Sequence, residues 1–113
     1  MDKARNLDRR RDQKAISTPA LYEVAFGTML SRSRTEVAAL RSLATKYLIL
    51  PFDEPAAMKA AEIRAELTRL GKVKSHVDTM IAGVAAAGGH VLLTRDRDFS
   101  DMADVVELSV ESY

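Results

Sequence analysis

The chain has 113 residues, of which 47% are hydrophobic and 29% are charged, a composition typical of one folded globular domain. It contains no cysteine, which excludes disulfides, thiolate nucleophiles and cysteine metal sites and favours a reducing cytoplasm. No apolar run approaches the roughly 20 residues of a membrane span, and no signal peptide is recognisable. With only two histidines, any bound metal is expected to be a hard cation held by carboxylates.

Charge is distributed unevenly along the chain. Residues 1–50 carry ten Lys and Arg against five Asp and Glu, whereas residues 51–113 carry seven against eleven. A basic half could face a polyanion such as nucleic acid, although charge of this kind more often serves solubility alone.

The first half of the chain predicts two strands and three helices. Residues 1–14 indicate a charged helix, and Ala15–Ser17 a short strand. Thr18 is then the expected N-cap of an apolar helix over residues 19–30, which should be largely buried. A capping box at residues 33–36 begins a helix that runs to about residue 45. The apolar run at residues 47–50 predicts a strand buried on both faces.

The second half continues the alternation of helices and strands. A helix begins at Asp53 and ends at Gly71, and a second helix is expected over residues 77–87. Buried strands are expected over residues 91–93 and 105–110. The helix that begins at Asp53 carries an apolar stripe at spacings of three and four, formed by Ala56, Ala60, Ile63, Leu67 and Leu70. Such alternation predicts an α/β domain with a mostly parallel sheet, whose ligands bind at the carboxyl ends of the strands.

Glu23 is the only charged residue in the apolar helix. An unpaired carboxylate that is buried costs about several kcal/mol, so it requires a cation, a cage of hydrogen bonds or an exit to solvent. Glu23 is therefore a candidate functional residue, and a buried salt bridge to Arg32 or Arg95 is the structural alternative.

Two further carboxylates are candidates at the helix and strand ends. Asp78 is the only charge between Lys74 and Arg95, and the alternative role for it is a helix cap. Asp96 directly follows a predicted strand, where α/β sites are built, and the alternative role for it is a turn residue. Asp98, two residues later, is a rival for the same position. Three such carboxylates meeting at one end of a sheet would repel one another unless a divalent cation neutralised them. A cation there would suit the hydrolysis of phosphodiester bonds.

Three segments resemble the PIN-domain ribonucleases, particularly the VapC toxins of toxin–antitoxin pairs: ISTPALYEVAFG, LPFDEPAA and VDTMIAGVAAAGGHVLLTRDRDF. The resemblance extends from about Lys14 to Tyr113. Its most specific part is the pattern D-x-x-I-A at residues 78–82, followed by two glycines, a buried strand and T-R-D-x-D-F.

The resemblance implies a single three-layer PIN-like domain over residues 1–113, with a mostly parallel sheet flanked by helices. It implies an endoribonuclease that depends on Mg²⁺ or Mn²⁺, with Glu23, Asp78 and Asp96 as catalytic and metal-binding residues and Thr94 as a substrate-binding hydroxyl. The implied partners are an RNA substrate, a cognate antitoxin and a second copy of the chain in a homodimer, with no membrane.

Two departures from the family pattern qualify this implied activity. His76 stands where family members often carry a further aspartate. The family also begins with a strand that supplies another catalytic acid, and this strand is not recognisable here. We therefore expect a weakened nuclease with exposed sheet edges. The alternatives are a catalytically inactive PIN-like module that binds an antitoxin, itself or RNA, and a fragment of another α/β protein.

Overall fold

A computed structural model describes residues 14–94, 98–103 and 108–112 and shows strands alternating with helices, as an α/β protein requires. The expectations of an N-terminal charged helix and of a missing first strand concern residues 1–13, which lie outside this described part. Residues 1–50 and residues 51–113 form two compact units. Within the described residues, no helix is long and apolar enough to cross a membrane.

The described part of the first unit, residues 14–50, contains two strands joined by a pair of helices. Its elements are β1 (Ala15–Ser17), α1 (Thr18–Ser31), α2 (Arg34–Lys46) and β2 (Leu48–Leu50). β1 and β2 pair in parallel, with Ala15 opposite Leu48 and Ser17 opposite Leu50. Two parallel strands need a crossover connection, and the two helices supply it.

Serine side chains begin both helices of the first unit. The predicted cap at Thr18 is wrong by one residue, because Ser17 Oγ accepts the N–H of Ala20 at 3.2 Å. Ser33 begins α2 as predicted, and its Oγ accepts the N–H of Glu36 at 3.4 Å. The Glu36 carboxylate does not close the capping box on Ser33 and instead accepts a hydrogen bond from the Ser31 hydroxyl.

The expected burial of α1 is wrong. Tyr22, Phe26 and Leu30 are 64%, 58% and 72% exposed, and the buried residues of this helix are Pro19 and Thr28. The helix is apolar on nearly every side, whereas its contacts within the first unit are with α2 and β1. The strand β2 was also expected to be buried on both faces, but Leu48 is 61% exposed.

The second unit contains the larger hydrophobic core. Its elements are α3 (Glu54–Arg69), α4 (His76–Ala87), β3 (Val91–Thr94), α5 (Asp98–Ala103) and β4 (Ser109–Ser112). β3 and β4 pair in parallel. The sequence patterns did not predict α5. Of the strand expected over residues 105–110, residues 105–107 lie outside the described part, and β4 includes residues 109 and 110. The core cluster consists of Ile63, Leu67, Ala82, Ala85, Phe99, Met102 and Leu108.

The helices α3 and α4 pack with their backbones close together. The predicted apolar stripe of α3 is confirmed from Ala56 to Leu67, while Leu70 is 59% exposed. On α4, a Cβ atom added at Gly83 would lie 2.6 Å from the carbonyl oxygen of Ala56 and 2.8 Å from Cβ of Ala60. Only glycine permits this approach, because a side chain would meet backbone rather than a flexible side-chain end.

Glycines with positive φ end both of these helices. Gly71 has φ +71°, and the next N–H, of Lys72, reaches the carbonyl of Leu67 at 2.9 Å. Gly89 has φ +66°, and the N–H of His90 reaches the carbonyl of Ala85 at 2.8 Å. Both are Schellman motifs, which satisfy carbonyls that the helix leaves free. After α4 the chain therefore reverses within three residues and enters β3.

We expect Gly83→Ala to destabilise the protein by about 1–3 kcal/mol, because the added methyl would force α3 and α4 apart. The matched control is Gly27→Ala on α1, where an added Cβ meets no atom within 4 Å. That change should stabilise the protein by about 0.5–1 kcal/mol through helix propensity alone. Urea unfolding of both variants provides the measurement, and equal effects at the two glycines would contradict the close packing.

Candidate active site

The predicted acids fall in both units of the chain. Glu23 lies on α1 of the first unit, and Asp78 lies in the first turn of α4 in the second unit. Asp96 lies outside the described residues, between the end of β3 at Thr94 and the start of α5 at Asp98. A site shared by Glu23, Asp78 and Asp96 therefore stays a prediction.

Glu23 is exposed, so the expectation that it is a buried carboxylate is wrong. Its carboxylate makes no hydrogen bond or ion pair with any described residue, Arg32 included. It lines a shallow groove between α1 and α2 with a volume of about 440 Å³. The walls of this groove are mainly apolar and include Val24, Leu40 and Leu43. The Glu23 carboxylate, unpaired within the described part of the chain, thus lies in an accessible, mostly apolar groove.

Asp78 is the third residue of α4 and does not cap it. The cap is Ser75, whose Oγ accepts the N–H of Asp78 at 3.0 Å and whose carbonyl accepts the N–H of Thr79 at 3.2 Å. The Asp78 carboxylate is half-buried and makes no hydrogen bond or ion pair within the described part of the chain. The capping role considered for Asp78 is therefore wrong, and its carboxylate, unpaired within the described residues, lies beside the positive end of the helix dipole.

The topology brings the start of α4 and the end of β3 to the same end of the second unit. A connection of only three residues requires α4 and β3 to run antiparallel, and the two elements are in contact. From Asp78 to Ala87 the helix rises about 13 Å, and β3 rises about 10 Å from Val91 to Thr94. The first turn of α4 therefore lies near the level at which β3 ends.

An ion pair connects the segments that flank these two ends. Lys74 Nζ lies 2.9 Å from Oδ2 of Asp101, and Lys72 Nζ lies 3.6 Å from Oδ1 of the same carboxylate. Lys74 belongs to the loop that precedes α4, and Asp101 belongs to α5, which follows β3. The hydrogen bond from Lys74 and the charge of Lys72 lower the pKa of the Asp101 carboxyl below its ordinary value.

The sequence patterns did not identify this ion pair. The available signals were two lysines in the loop before α4 and one aspartate two residues after the buried Phe99. Neither signal specifies a partner, because residues 74 and 101 are brought together only by the fold.

Carboxylates are the donors that a hard divalent cation prefers, so the predicted acids suit Mg²⁺ or Mn²⁺ chemically. Among the residues that the structure describes, no three His, Asp or Glu side chains are grouped as a metal site. Asp96 lies outside these residues. The free carboxylates of Glu23 and Asp78 are consistent with ligands that have no competing partner within the described ranges.

The sequence matches the PIN domain family over residues 1–105. The chain belongs to the PIN-domain family. The expected PIN-like fold is confirmed, since solved structures of this family superpose on the chain. VapBC2 from Rickettsia felis, bound to a DNA fragment from its promoter, matches with a TM-score of 0.78 and 23% identity. This match covers 97% of the chain and 84% of that neighbour.

Two other relatives are closer in sequence. VapBC-5 of Mycobacterium tuberculosis, a toxin–antitoxin system, matches with a TM-score of 0.70 and 30% identity, over 87% of the chain and 79% of that structure. The tRNA(fMet)-specific endonuclease VapC of Shigella flexneri is 33% identical over 86 residues, which are 74% of the chain. The match spans 65% of the length of that endonuclease. The resemblance to VapC toxins, first seen in the motif at residues 78–82, is confirmed.

We expect Ser75→Ala to lower the free energy of unfolding by about 1 kcal/mol, because it removes the cap of α4. Asp78→Asn should lower it by no more than a few tenths of a kcal/mol, since only an interaction with the helix dipole is lost. Asp53→Ala, which removes the cap of α3, provides a positive control. A larger loss for Asp78→Asn than for Ser75→Ala in urea unfolding would contradict the assignment of the cap.

The lowered pKa of Asp101 makes its stabilising effect depend on pH. The ionised carboxylate stabilises the fold above the ordinary pKa of 3.8, and this contribution is lost as the pH falls through the lower folded value. The stability difference between the parent and Asp101→Asn should therefore be constant from about pH 5 to 7 and shrink towards about pH 3. Urea unfolding across this range tests it, and an undiminished difference at the lowest pH would contradict the ion pair.

Proposed function

We propose that the chain acts as a metal-dependent endoribonuclease of the VapC type, the toxin of a toxin–antitoxin pair. Membership of the PIN-domain family and the similarity to a curated tRNA-specific endonuclease support this proposal. The observation that carries it is the carboxylate of Asp78, which has no partner among the described residues and lies in the first turn of α4, where Ser75 provides the cap.

Glu23, Asp78 and Asp96 are the proposed metal-binding and catalytic residues, with Asp98 as the alternative to Asp96. The topology supports Asp78 as a member of this set, because the start of α4 and the end of β3 lie at the same end of the second unit. The Lys74–Asp101 ion pair also links the segments on either side of these ends. Glu23 enters the set on the family resemblance and on its accessible, unpaired carboxylate.

Mg²⁺ or Mn²⁺ is the proposed cofactor, because three carboxylates need a divalent charge to share one site. Such a cation, when bound, polarises a phosphate oxygen and lowers the pKa of water. The residues of the chain would hold the scissile phosphate in place. Thr94, at the end of β3, is proposed to donate its hydroxyl hydrogen bond to the RNA. The helix dipole at the start of α4 adds an attraction for anionic groups.

The proposed partners are RNA, a cognate antitoxin and a second copy of the chain. VapBC-5 is a toxin–antitoxin system, which supports an antitoxin for this chain. The exposed apolar residues of α1 also support protein partners, because contiguous apolar surface on a single protein commonly marks an interaction site. They are Tyr22, Val24, Phe26, Met29 and Leu30. The Glu23 groove adjoins this surface, so an antitoxin seated on α1 would cover one of the proposed acids.

A non-catalytic PIN-like module that binds an antitoxin, itself or RNA is the second candidate. The observation that favours it is the exposure of Glu23, because a carboxylate in water requires neither a metal nor a partner. The two candidates differ in one property, which is affinity for a divalent cation that depends on the predicted acids.

We expect Mn²⁺ at millimolar concentration to raise the melting temperature, because the cation binds the folded state. With Mn²⁺ present, the chain should cleave single-stranded RNA, and Glu23→Gln, Asp78→Asn and Asp96→Asn should each lower the rate by at least about a hundredfold. Each change removes a charge and nearly preserves the shape of the side chain.

Glu36→Gln is the matched control, since Glu36 lines the same groove as Glu23 and lies outside the proposed acids. It should leave cleavage and the Mn²⁺-dependent shift in melting temperature unchanged. A melting temperature that does not respond to Mn²⁺, together with no cleavage, would favour the non-catalytic module. Cleavage that survives Asp78→Asn would disprove the proposed site.

A further inference from the structure

The loop before α4 is held by a carboxylate from a different helix. The side chain of Lys74 is only 10% exposed, and its ammonium group lies 2.9 Å from Asp101 on α5. The same carboxylate faces Lys72, whose side chain is 43% exposed. A buried ammonium needs an anionic partner, because it has given up most of its hydration.

This ion pair is continuous with the hydrogen bonds that begin α4. The residue after Lys74 is Ser75, whose Oγ and carbonyl oxygen accept the N–H groups of Asp78 and Thr79. The Thr79 hydroxyl in turn donates to the carbonyl of His76 at 2.7 Å. The path from Asp101 to Asp78 therefore consists of one ion pair, one peptide unit and one capping hydrogen bond.

We propose that Asp101, acting through Lys74, is a positioning residue that holds the first turn of α4 and thereby fixes the place of Asp78. The physical reason is the burial of Lys74. Asp101 places a carboxylate oxygen 2.9 Å from this ammonium, so its loss removes a link between α5 and the loop that carries the Ser75 cap. The part of this inference that concerns metal binding rests on the proposed function, whereas the ordering of the turn does not.

An exposed ion pair on α3 supplies a contrast and a control. Lys59 and Glu62 lie 3.3 Å apart with side chains that are 42% and 52% exposed. Pairs of this kind contribute little, because water solvates both charges when the pair opens. Removing Glu62 should therefore leave the start of α4 unchanged, although it removes the same kind of charge from the same unit.

The first test is amide hydrogen exchange measured by NMR on the full chain without metal. In Asp101→Asn, the amides of Asp78 and Thr79 should exchange about tenfold faster, because local opening of the first turn becomes easier. The amides of Ala85 and Ala86, near the other end of α4, should be unaffected. Asp101→Glu should restore slow exchange, and Glu62→Gln should match the parent. Unchanged exchange at Asp78 and Thr79 in Asp101→Asn would overturn the proposal.

The second test is Mn²⁺ affinity by titration calorimetry, at a temperature at which every variant is folded. Asp101→Asn should weaken Mn²⁺ binding about tenfold, the lower end of the effect typical of residues that orient metal ligands. Asp101→Glu should recover most of this affinity. Faster exchange at Asp78 with unchanged Mn²⁺ affinity would overturn the positioning role. If the parent binds no Mn²⁺, the proposed nuclease function fails, and the exchange experiment alone decides whether Asp101 orders the turn.

Discussion

The close contact of α3 with α4 at Gly83 is the constraint on which the second unit depends. The carbonyl of Ala56 stands where a side chain at residue 83 would begin, so the two helices can approach only because this residue is glycine. The approach brings Ile63 and Leu67 of α3 into the same core as Ala82 and Ala85 of α4. Burying a side chain of the size of Ile63 or Leu67 stabilises a fold by about 1.5–3 kcal/mol. Small residues on α4 therefore allow large residues on α3 to be covered.

The position of α4 then determines where the candidate site is built. Gly89 reverses the chain directly after the helix, so β3 must run antiparallel to it. The same reversal places the first turn of α4 near the end of β3, which is where α/β proteins bind ligands. After β3 the chain forms α5, whose Phe99 and Met102 are buried in the core. With α5 fixed, Asp101 can reach back to the loop that begins α4.

The sequence predicted those features that depend on local rules. The stripe from Ala56 to Leu67, the cap at Ser33 and the glycine ends of α3 and α4 follow from periodicity and backbone geometry. The burial of α1 could not be predicted in this way. An apolar composition indicates that a helix can be buried, but the contacts between elements determine which of its faces is buried. On α1, Phe26 and Leu30 are exposed. Because Glu23 is exposed, its place in the site is supported only by the family resemblance and by a carboxylate that is unpaired within the described residues.

The two described carboxylates near the start of α4 have opposite electrostatic surroundings. Asp101 faces two lysines, which lower its pKa and neutralise its charge. Asp78 makes no ion pair with a described residue, and Ser75 provides the cap of the helix that Asp78 would otherwise supply. An aspartate with a purely structural role is expected to form an ion pair, as Asp101 does, or a helix cap, because either interaction offsets the loss of hydration. The half-buried carboxylate of Asp78 makes no hydrogen bond or ion pair within the described part of the chain. Such a group suits a ligand that supplies positive charge, and for a PIN-domain chain with hard oxygen donors a divalent cation is the ligand that meets this requirement.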